Sequence, residues 1–230
     1  MKKIGKYWNN QPNYEWDGWG RLIEPIKNLQ SKLGRNLRVL DLGCGNGRFL
    51  HWLVKNFAEV EYVGVDFSDY LLGVAKKNDQ KRIGTFIKSD LFMDEWIFLN
   101  SLVDFDLIVS FGLVHHIPSK ELVETFFGNL NKLIRNQKTL GIFTIWNYHK
   151  LARLEKKILR QEDLPKKFQV NLGKNENILI WDKEEYSTRF SRCFSKEEIL
   201  GYLGHGFQVL DFYMDDDRNQ RRNSYFVISR

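Results

Sequence analysis

The sequence predicts an α/β fold in which helices cover both faces of a mostly parallel sheet. Three observations carry this reading. From residue 37 onward, short apolar runs alternate with segments whose apolar residues recur at helical spacing. The runs are nearly continuous in apolar residues, as strands buried on both faces are. And 43% of the 230 residues are hydrophobic, enough for the core of one domain, or of one domain with a sizeable insertion.

Residues 1–20 hold Tyr7, Trp8, Tyr14, Trp16 and Trp19 without periodicity, an aromatic arm that must pack on the domain or on a ligand. Leu22, Ile23, Ile26, Leu29 and Leu33 share one face of a helix over 19–33, and Gly34 is placed to end it. A strand over 37–42 is followed by a helix over 48–57 with Phe49, Trp52, Leu53 and Phe57 on a common face. A strand over 60–65 leads to a helix over 68–77 capped by Ser68. Strands follow over 85–88 and 105–110. Leu122, Val123, Phe126, Phe127, Leu130 and Leu133 mark the clearest helix, 119–134, before a strand over 140–145.

Residues 146–194 interrupt the alternation. They are polar and charged, with a helix expected over 151–162 and a break at Pro165-Lys166-Lys167. Ser195-Lys196-Glu197-Glu198 then has the capping-box pattern and opens a helix to Leu203. Strands over 207–213 and 225–229 form a closing hairpin across a polar loop, 214–223, with the last strand antiparallel to its neighbour. The chain thus divides into an arm and helix (1–36), an α/β core (37–145), a cap insertion (146–194) and a segment that completes the sheet (195–230).

In open α/β sheets a ligand sits beyond the carboxyl ends of the strands. Chemistry-bearing residues fall at those ends. Val39-Leu40-Asp41-Leu42-Gly43-Cys44-Gly45-Asn46-Gly47 runs from a strand into a turn with glycine at every second position. Such a turn brings bare main chain against a ligand, with the Asp41 carboxylate at its base. A dinucleotide fingerprint would want its third glycine at position 48, which is Arg48. Asp66 closes the second strand, where a carboxylate can accept from both hydroxyls of a ribose. Ser89-Asp90-Leu91 follows the third strand, and Ser110-Phe111-Gly112-Leu113-Val114-His115-His116-Ile117-Pro118 the fourth.

Together these segments resemble the class I S-adenosylmethionine-dependent methyltransferases over most of 37–145 and 195–230. The resemblance implies a Rossmann-like seven-stranded sheet and S-adenosylmethionine as cofactor. It places the cofactor on Asp41, Gly43, Cys44, Gly45, Asn46 and Gly47 in the turn. Asp66 would hold the ribose, with Phe67 and Ser68 beside it also in the cofactor set, Asp90 and Leu91 would bind the adenine, and Ser110 and Phe111 would lie beneath. Phe67 would pack on the adenine face. A carboxylate such as Asp41 suits an amino-acid ammonium group better than a pyrophosphate. One departure is Arg135-Asn136-Gln137-Lys138-Thr139, where the family usually has Pro-Gly-Gly before its fifth strand.

Val114-His115-His116-Ile117-Pro118 and Thr144-Ile145-Trp146-Asn147 are similar to a branch that includes the tRNA methyltransferases of wobble 5-carboxymethyluridine, and to related methyltransferase type 11 domains. In that branch Trp19, Trp181, Arg189, Phe194 and Asn223 have counterparts. Ser191 and Arg192 replace a Tyr-His pair, Arg222 an acid, and Glu15 an arginine. The resemblance implies an acceptor that is the carboxylate of a modified tRNA uridine, with a small-molecule acid as the alternative. A carboxylate needs cations to align it, and Arg189, Arg192, Arg221 and Arg222 are the candidates. His115, His116, Arg189 and Asn223 are the candidate catalytic set. Adjacent histidines point apart, so one at most faces the pocket. His51, His149 and His205 have no metal-ligand spacing, and no metal is expected.

The net charge of +6 would attract a polyanion such as RNA, although many basic enzymes bind none. Lys156, Lys157, Arg160, Lys166 and Lys167, with Phe168 and Trp181, would make an RNA-binding cap if they share a face. Glu155, Glu162 and Asp163 fit a plain solvated helix equally. Two cysteines, Cys44 and Cys193, give no disulfide framework. No apolar run suits a membrane span and no signal peptide is apparent, so a reducing cytoplasmic setting is expected. The remaining readings are a non-catalytic module that holds RNA or a small activating subunit, and an NAD-dependent oxidoreductase, against which Arg48 and Asp41 count.

Overall fold

The computed structural model describes residues 15–92, 98–99, 104–146, 155–159, 172–173, 175–182, 187–216 and 222–230. Its centre is a seven-stranded sheet in the order β3-β2-β1-β4-β5-β10-β9. The strands are β1 (Leu37–Leu42), β2 (Val60–Asp66), β3 (Gly84–Lys88), β4 (Leu107–Ser110), β5 (Leu140–Trp146), β9 (Gln208–Asp215) and β10 (Asn223–Ser229). The first five pair in parallel, and β10 alone runs antiparallel between β5 and β9. The chain reverses direction across the sheet at β1, which pairs β2 on one side and β4 on the other. That reversal opens a crevice beyond the carboxyl ends of β1 and β4.

Among the described residues, five helices flank the sheet: α1 (Ile23–Gln30), α2 (Arg48–Asn56), α3 (Asp69–Asn78), α4 (Lys120–Leu133) and α5 (Lys196–Leu203). Side chains alternate across each strand, so two cores form. On one face Leu40, Ile108, Phe143 and Phe226 meet Phe126, Phe127 and Leu130 of α4 and Ile199 and Leu203 of α5. On the other, Val39, Val109, Ile142 and Tyr225 meet Leu22 and Ile26 together with Phe49, Trp52 and Leu53 of α2. Each of these large buried side chains contributes roughly 1.5–3 kcal/mol. The expected caps are present: Ser68 accepts from the Leu71 amide at 3.3 Å, and Ser195 and Glu198 form a reciprocal capping box. At the opposite end of the sheet from the crevice, Asp106 takes a two-pronged bond from Arg35 at 2.7 and 2.8 Å.

Two expectations need correction. The helix expected over 19–33 begins as a 3-10 turn, Asp17–Leu22, and becomes α-helical only at Ile23. Gly18 and Gly20 weaken a regular helix there, and Pro25 is tolerated in the first turn of α1. In the insertion, the helix expected over 151–162 does not continue through its described residues: Glu155 is helical, 156 and 157 form a turn, and a strand follows. Ile158–Leu159 is a strand, β6, in a second, three-stranded sheet with β7 (Glu176–Asp182) and β8 (Ser187–Arg192). All of its pairings are antiparallel. The partner strand lies far along the chain, so local spacing could not reveal it. Tyr7, Trp8, Tyr14, Arg160, Lys166, Lys167, Phe168 and Arg221 lie outside the described residues, as does the break at 165–167.

Candidate functional site

β1 ends at Leu42 and the chain enters the glycine turn. Gly43, Gly45 and Gly47 have φ of 83°, 55° and 79°, left-handed values that exclude most side chains. The turn is tied to the end of β2: Gly43 and Cys44 amides donate to the Val65 carbonyl at 2.8 and 3.0 Å. The Gly45 amide donates to Asp66 Oδ2 at 3.0 Å. A Cβ on Gly45 would meet no protein atom within 4 Å and would take up room in the cavity that Gly45 lines. That cavity holds about 320 Å³ and lies beyond the strand ends.

Two buried carboxylates stand on its floor. Asp66 Oδ1 accepts from the Ser68 amide at 2.9 Å. Burial raises its pKa, and the amides of Ser68 and Gly45 work against that rise. Asp41 Oδ2 accepts from the Tyr62 hydroxyl at 2.6 Å. Burial, then the neighbouring Asp66, lift Asp41 to about 7, while the Tyr62 bond pulls the other way. Asp90 is exposed at the rim, where its Oδ1 accepts from the Phe92 amide at 3.0 Å.

The Asp41 displacement has a folding consequence. An acid whose pKa is higher in the folded state than in the unfolded chain favours folding most below its unfolded value. That contribution is lost as pH rises from about 3.8 to about 7. Asp41→Asn removes this loss and keeps an acceptor for Tyr62. It is therefore expected to be more stable than the wild type above pH 7 by about 2 kcal/mol. This is half of the ~4 kcal/mol that three pKa units represent, because the amide must still be desolvated. Thermal melts at pH 5 and pH 8 check it: the gain should grow with pH, and equal melting points at both values would refute it.

The opposite wall comes from three places. Phe111, Leu113 and His116 follow β4. Thr188, Arg189 and Phe190 belong to β8. Trp16 and Trp19 come from the N-terminal turn. His116 Nδ1 lies 2.7 Å from the Phe190 carbonyl, so Nδ1 carries the proton and Nε2 is the acceptor. Burial, with the Arg189 charge, pulls His116 down to about 4, and the ring is neutral at pH 7. Burial alone lowers Arg189 to about 9.

Asp41, Gly43, Cys44, Gly45, Asn46, Asp66, Phe67, Asp90, Leu91, Phe111, His116 and Arg189 all line the cavity. Five expected residues do not. Gly47 sits at the N-cap of α2, and Ser68 caps α3. Ser110 is buried as the last residue of β4. His115 is fully buried and stacks on Trp146 at 4.1 Å, so of the two histidines only His116 faces the cavity. Asn223 starts β10, pairs with Trp146 and donates from Nδ2 to Asp216 at 2.6 Å. The other candidate cations are also placed elsewhere: Arg192 bridges Glu198 at 3.1 Å and Glu176 at 3.9 Å, and Arg222 lies between the Trp16 and Trp146 rings. Among the described residues, no cluster of His, Cys, Asp or Glu could hold a metal.

Sequence reasoning missed Tyr62, Thr188 and Phe190. Tyr62 alone left a trace: a tyrosine inside an apolar strand needs a partner for its hydroxyl.

A model of the methyltransferase domain matches residues 33–197. The chain belongs to the methyltransferase domain family. Its cofactor is S-adenosylmethionine, and the residues present suit it: two buried carboxylates and an unobstructed main-chain turn face one cavity. Over 139 residues the chain is 33% identical to the cyclopropane-fatty-acyl-phospholipid synthase of Escherichia coli, a match covering 60% of this chain and 33% of that protein. The chain therefore spans about a third of that relative's length. A solved S-adenosylmethionine-dependent methyltransferase from Clostridium acetobutylicum superposes with a TM-score of 0.65 at 18% identity, covering 94% of this chain and 92% of its own. Magnesium protoporphyrin IX methyltransferase from Synechocystis, solved with bound S-adenosylmethionine, gives 0.58 at 18% identity over 99% and 81% of the two chains. At such identities the structural likeness speaks for the fold of this methyltransferase domain. Among its described residues, no helix is long and apolar enough to cross a membrane.

Proposed function

We propose that the chain transfers the methyl group of S-adenosylmethionine to a carboxylate held by Arg189. The observation that carries this reading is Arg189 itself, a largely desolvated guanidinium on the wall of the cavity that also contains Asp66 and the glycine turn. Desolvation strengthens its attraction for an anion, and its planar fork matches a carboxylate.

In this reading Asp66 accepts from the ribose hydroxyls, and Asp90 receives the adenine amino group. Phe67 covers the adenine ring, and Asp41 faces the ammonium group. The bound cofactor supplies an activated methyl group on a sulfonium. Transfer of that methyl group to the acceptor oxygen would break its bond to sulfur, leave the electron pair on sulfur, and give a methyl ester and S-adenosylhomocysteine with no proton moved. The protein's task is to align the acceptor and exclude water. A neutral His116 is consistent with a reaction that needs no base, since a ring with a pKa of about 4 is a poor one at pH 7.

The carboxylate has two candidate sources: the 5-carboxymethyl group of a tRNA wobble uridine, or a small-molecule acid. Sequence resemblance supports the first. The modest volume of the cavity, about 320 Å³, supports the second, and we favour it. A small activating subunit belongs only to the tRNA reading. Labelled S-adenosylmethionine offered in parallel to bulk tRNA and to a metabolite extract separates the two. We expect label in the small-molecule pool, released by mild alkali as an ester is. Label in tRNA would replace this source with the other. Alkali-stable label would remove the carboxylate from the proposal, and no transfer to either pool would count against catalysis.

A further inference from the structure

Trp16 and Trp19 reach the cavity wall from a turn near the N-terminus, and a carboxylate near the other end of the chain fixes that turn. Asp216 follows β9, is 2% exposed and has a φ of 80°. Aspartate enters this left-handed region more readily than most residues, but at a cost. Its Oδ1 accepts from the Gly18 amide at 2.9 Å. Its Oδ2 accepts from Asn223 Nδ2 and from the Tyr225 hydroxyl, each at 2.6 Å. The Tyr213 hydroxyl donates to the Gly18 carbonyl at 2.9 Å. Both the amide and the carbonyl of Gly18 are thus held by the C-terminal hairpin. A Cβ on Gly18 would stand 2.5 Å from the Tyr225 ring, so the close approach requires glycine.

On either side of Gly18, Trp16 and Trp19 stack with centroids 5.5 Å apart, and Trp16 meets Phe111 edge-on at 6.0 Å. All three line the cavity. A buried carboxylate is an expensive way to hold a turn that apolar packing would also hold. What it adds is geometry, because directed bonds set where Gly18, and hence both tryptophans, must lie.

We propose that Asp216 is a positioning residue for the cofactor: its grip on Gly18 fixes Trp16 and Trp19 as one wall of the S-adenosylmethionine cavity, so docking of the N-terminal turn and cofactor binding are coupled. The inference rests on reading that cavity as the cofactor site. Coupling of this kind is reciprocal, so whatever loosens the turn weakens the ligand. In the competing view Asp216 only braces the hairpin through Asn223 and Tyr225, with no effect transmitted through the tryptophans.

A double-mutant cycle on S-adenosylhomocysteine affinity, measured calorimetrically on the full chain, separates the two. Asp216→Ala and Trp16→Ala are each expected to weaken binding about tenfold; alanine is used at 216 because asparagine would keep an acceptor oxygen for the Gly18 amide. Together they are expected to lose no more than about threefold beyond Trp16→Ala alone, because both act through one contact. Multiplicative losses, about a hundredfold in the double variant, would overturn the proposal. So would wild-type affinity in Asp216→Ala. A bracing role predicts a lower melting point but independent effects on affinity. If Asp216→Ala does not fold, Tyr213→Phe replaces it in the same cycle, since it removes only the hydroxyl bound to the Gly18 carbonyl. A wild-type chain that binds no S-adenosylhomocysteine would overturn both this inference and the cofactor reading, whereas binding with independent effects overturns the inference alone.

Discussion

Asp66→Ala is expected to weaken S-adenosylhomocysteine binding by a factor of about 100 to 1000. Two charge-assisted hydrogen bonds to ribose hydroxyls are worth roughly 1.5–3 kcal/mol each, and the substitution removes both. It also releases the Gly45 and Ser68 amides, which Asp66 holds at 3.0 and 2.9 Å. The glycine turn then loses the side chain that ties it to β2, and part of the loss should appear as a slower on-rate. Asp66→Asn keeps one acceptor oxygen and is expected to lie between the wild type and the alanine variant. Calorimetric titration measures both. Wild-type affinity in Asp66→Ala would remove this residue from the cofactor site and, with it, the orientation assigned to the nucleoside.

The residues that could be read directly are those whose role is set by their own backbone. The turn Gly43–Gly47 could be placed because left-handed φ values leave few alternatives to glycine. Asp66 could be placed because it ends an apolar strand, and β2 does end there. Helix α4 was legible because one face alone carries its apolar side chains. What stayed hidden depends on partners far along the chain. β6 and β7 pair across segments of ambiguous periodicity, and Ile158-Leu159 fits a helix or a strand equally until Ile178 and Leu179 stand opposite. Tyr62 meets Asp41 only because β1 and β2 lie side by side. Asn223 illustrates a different failure. The sequence placed it at the end of the polar loop 214–223, whereas it begins β10 beside Trp146, and its amide is turned to Asp216 and away from the cavity. The hydrogen-bond partner, and not the motif, decides what the side chain does.

The cavity wall beneath the cap provides the second large effect. Arg189→Ala is expected to lower kcat/KM for methyl transfer about 100- to 1000-fold, the loss that follows when a buried anion loses its hydrogen-bonded cation. Cofactor affinity should stay within about twofold, because an interaction made only with the acceptor does not enter cofactor binding. Arg189→Lys restores the charge without the planar fork and is expected to recover about tenfold. That intermediate value distinguishes aligned, two-pronged recognition from simple charge attraction, which lysine would satisfy fully. Steady-state kinetics with the acceptor found by labelling, beside calorimetry with S-adenosylhomocysteine, provide the measurement. If acceptor turnover and cofactor affinity fall together, Arg189 supports the cap and not the acceptor. If neither falls, the carboxylate must be held elsewhere, with Arg48, which also lines the cavity, as the next guanidinium.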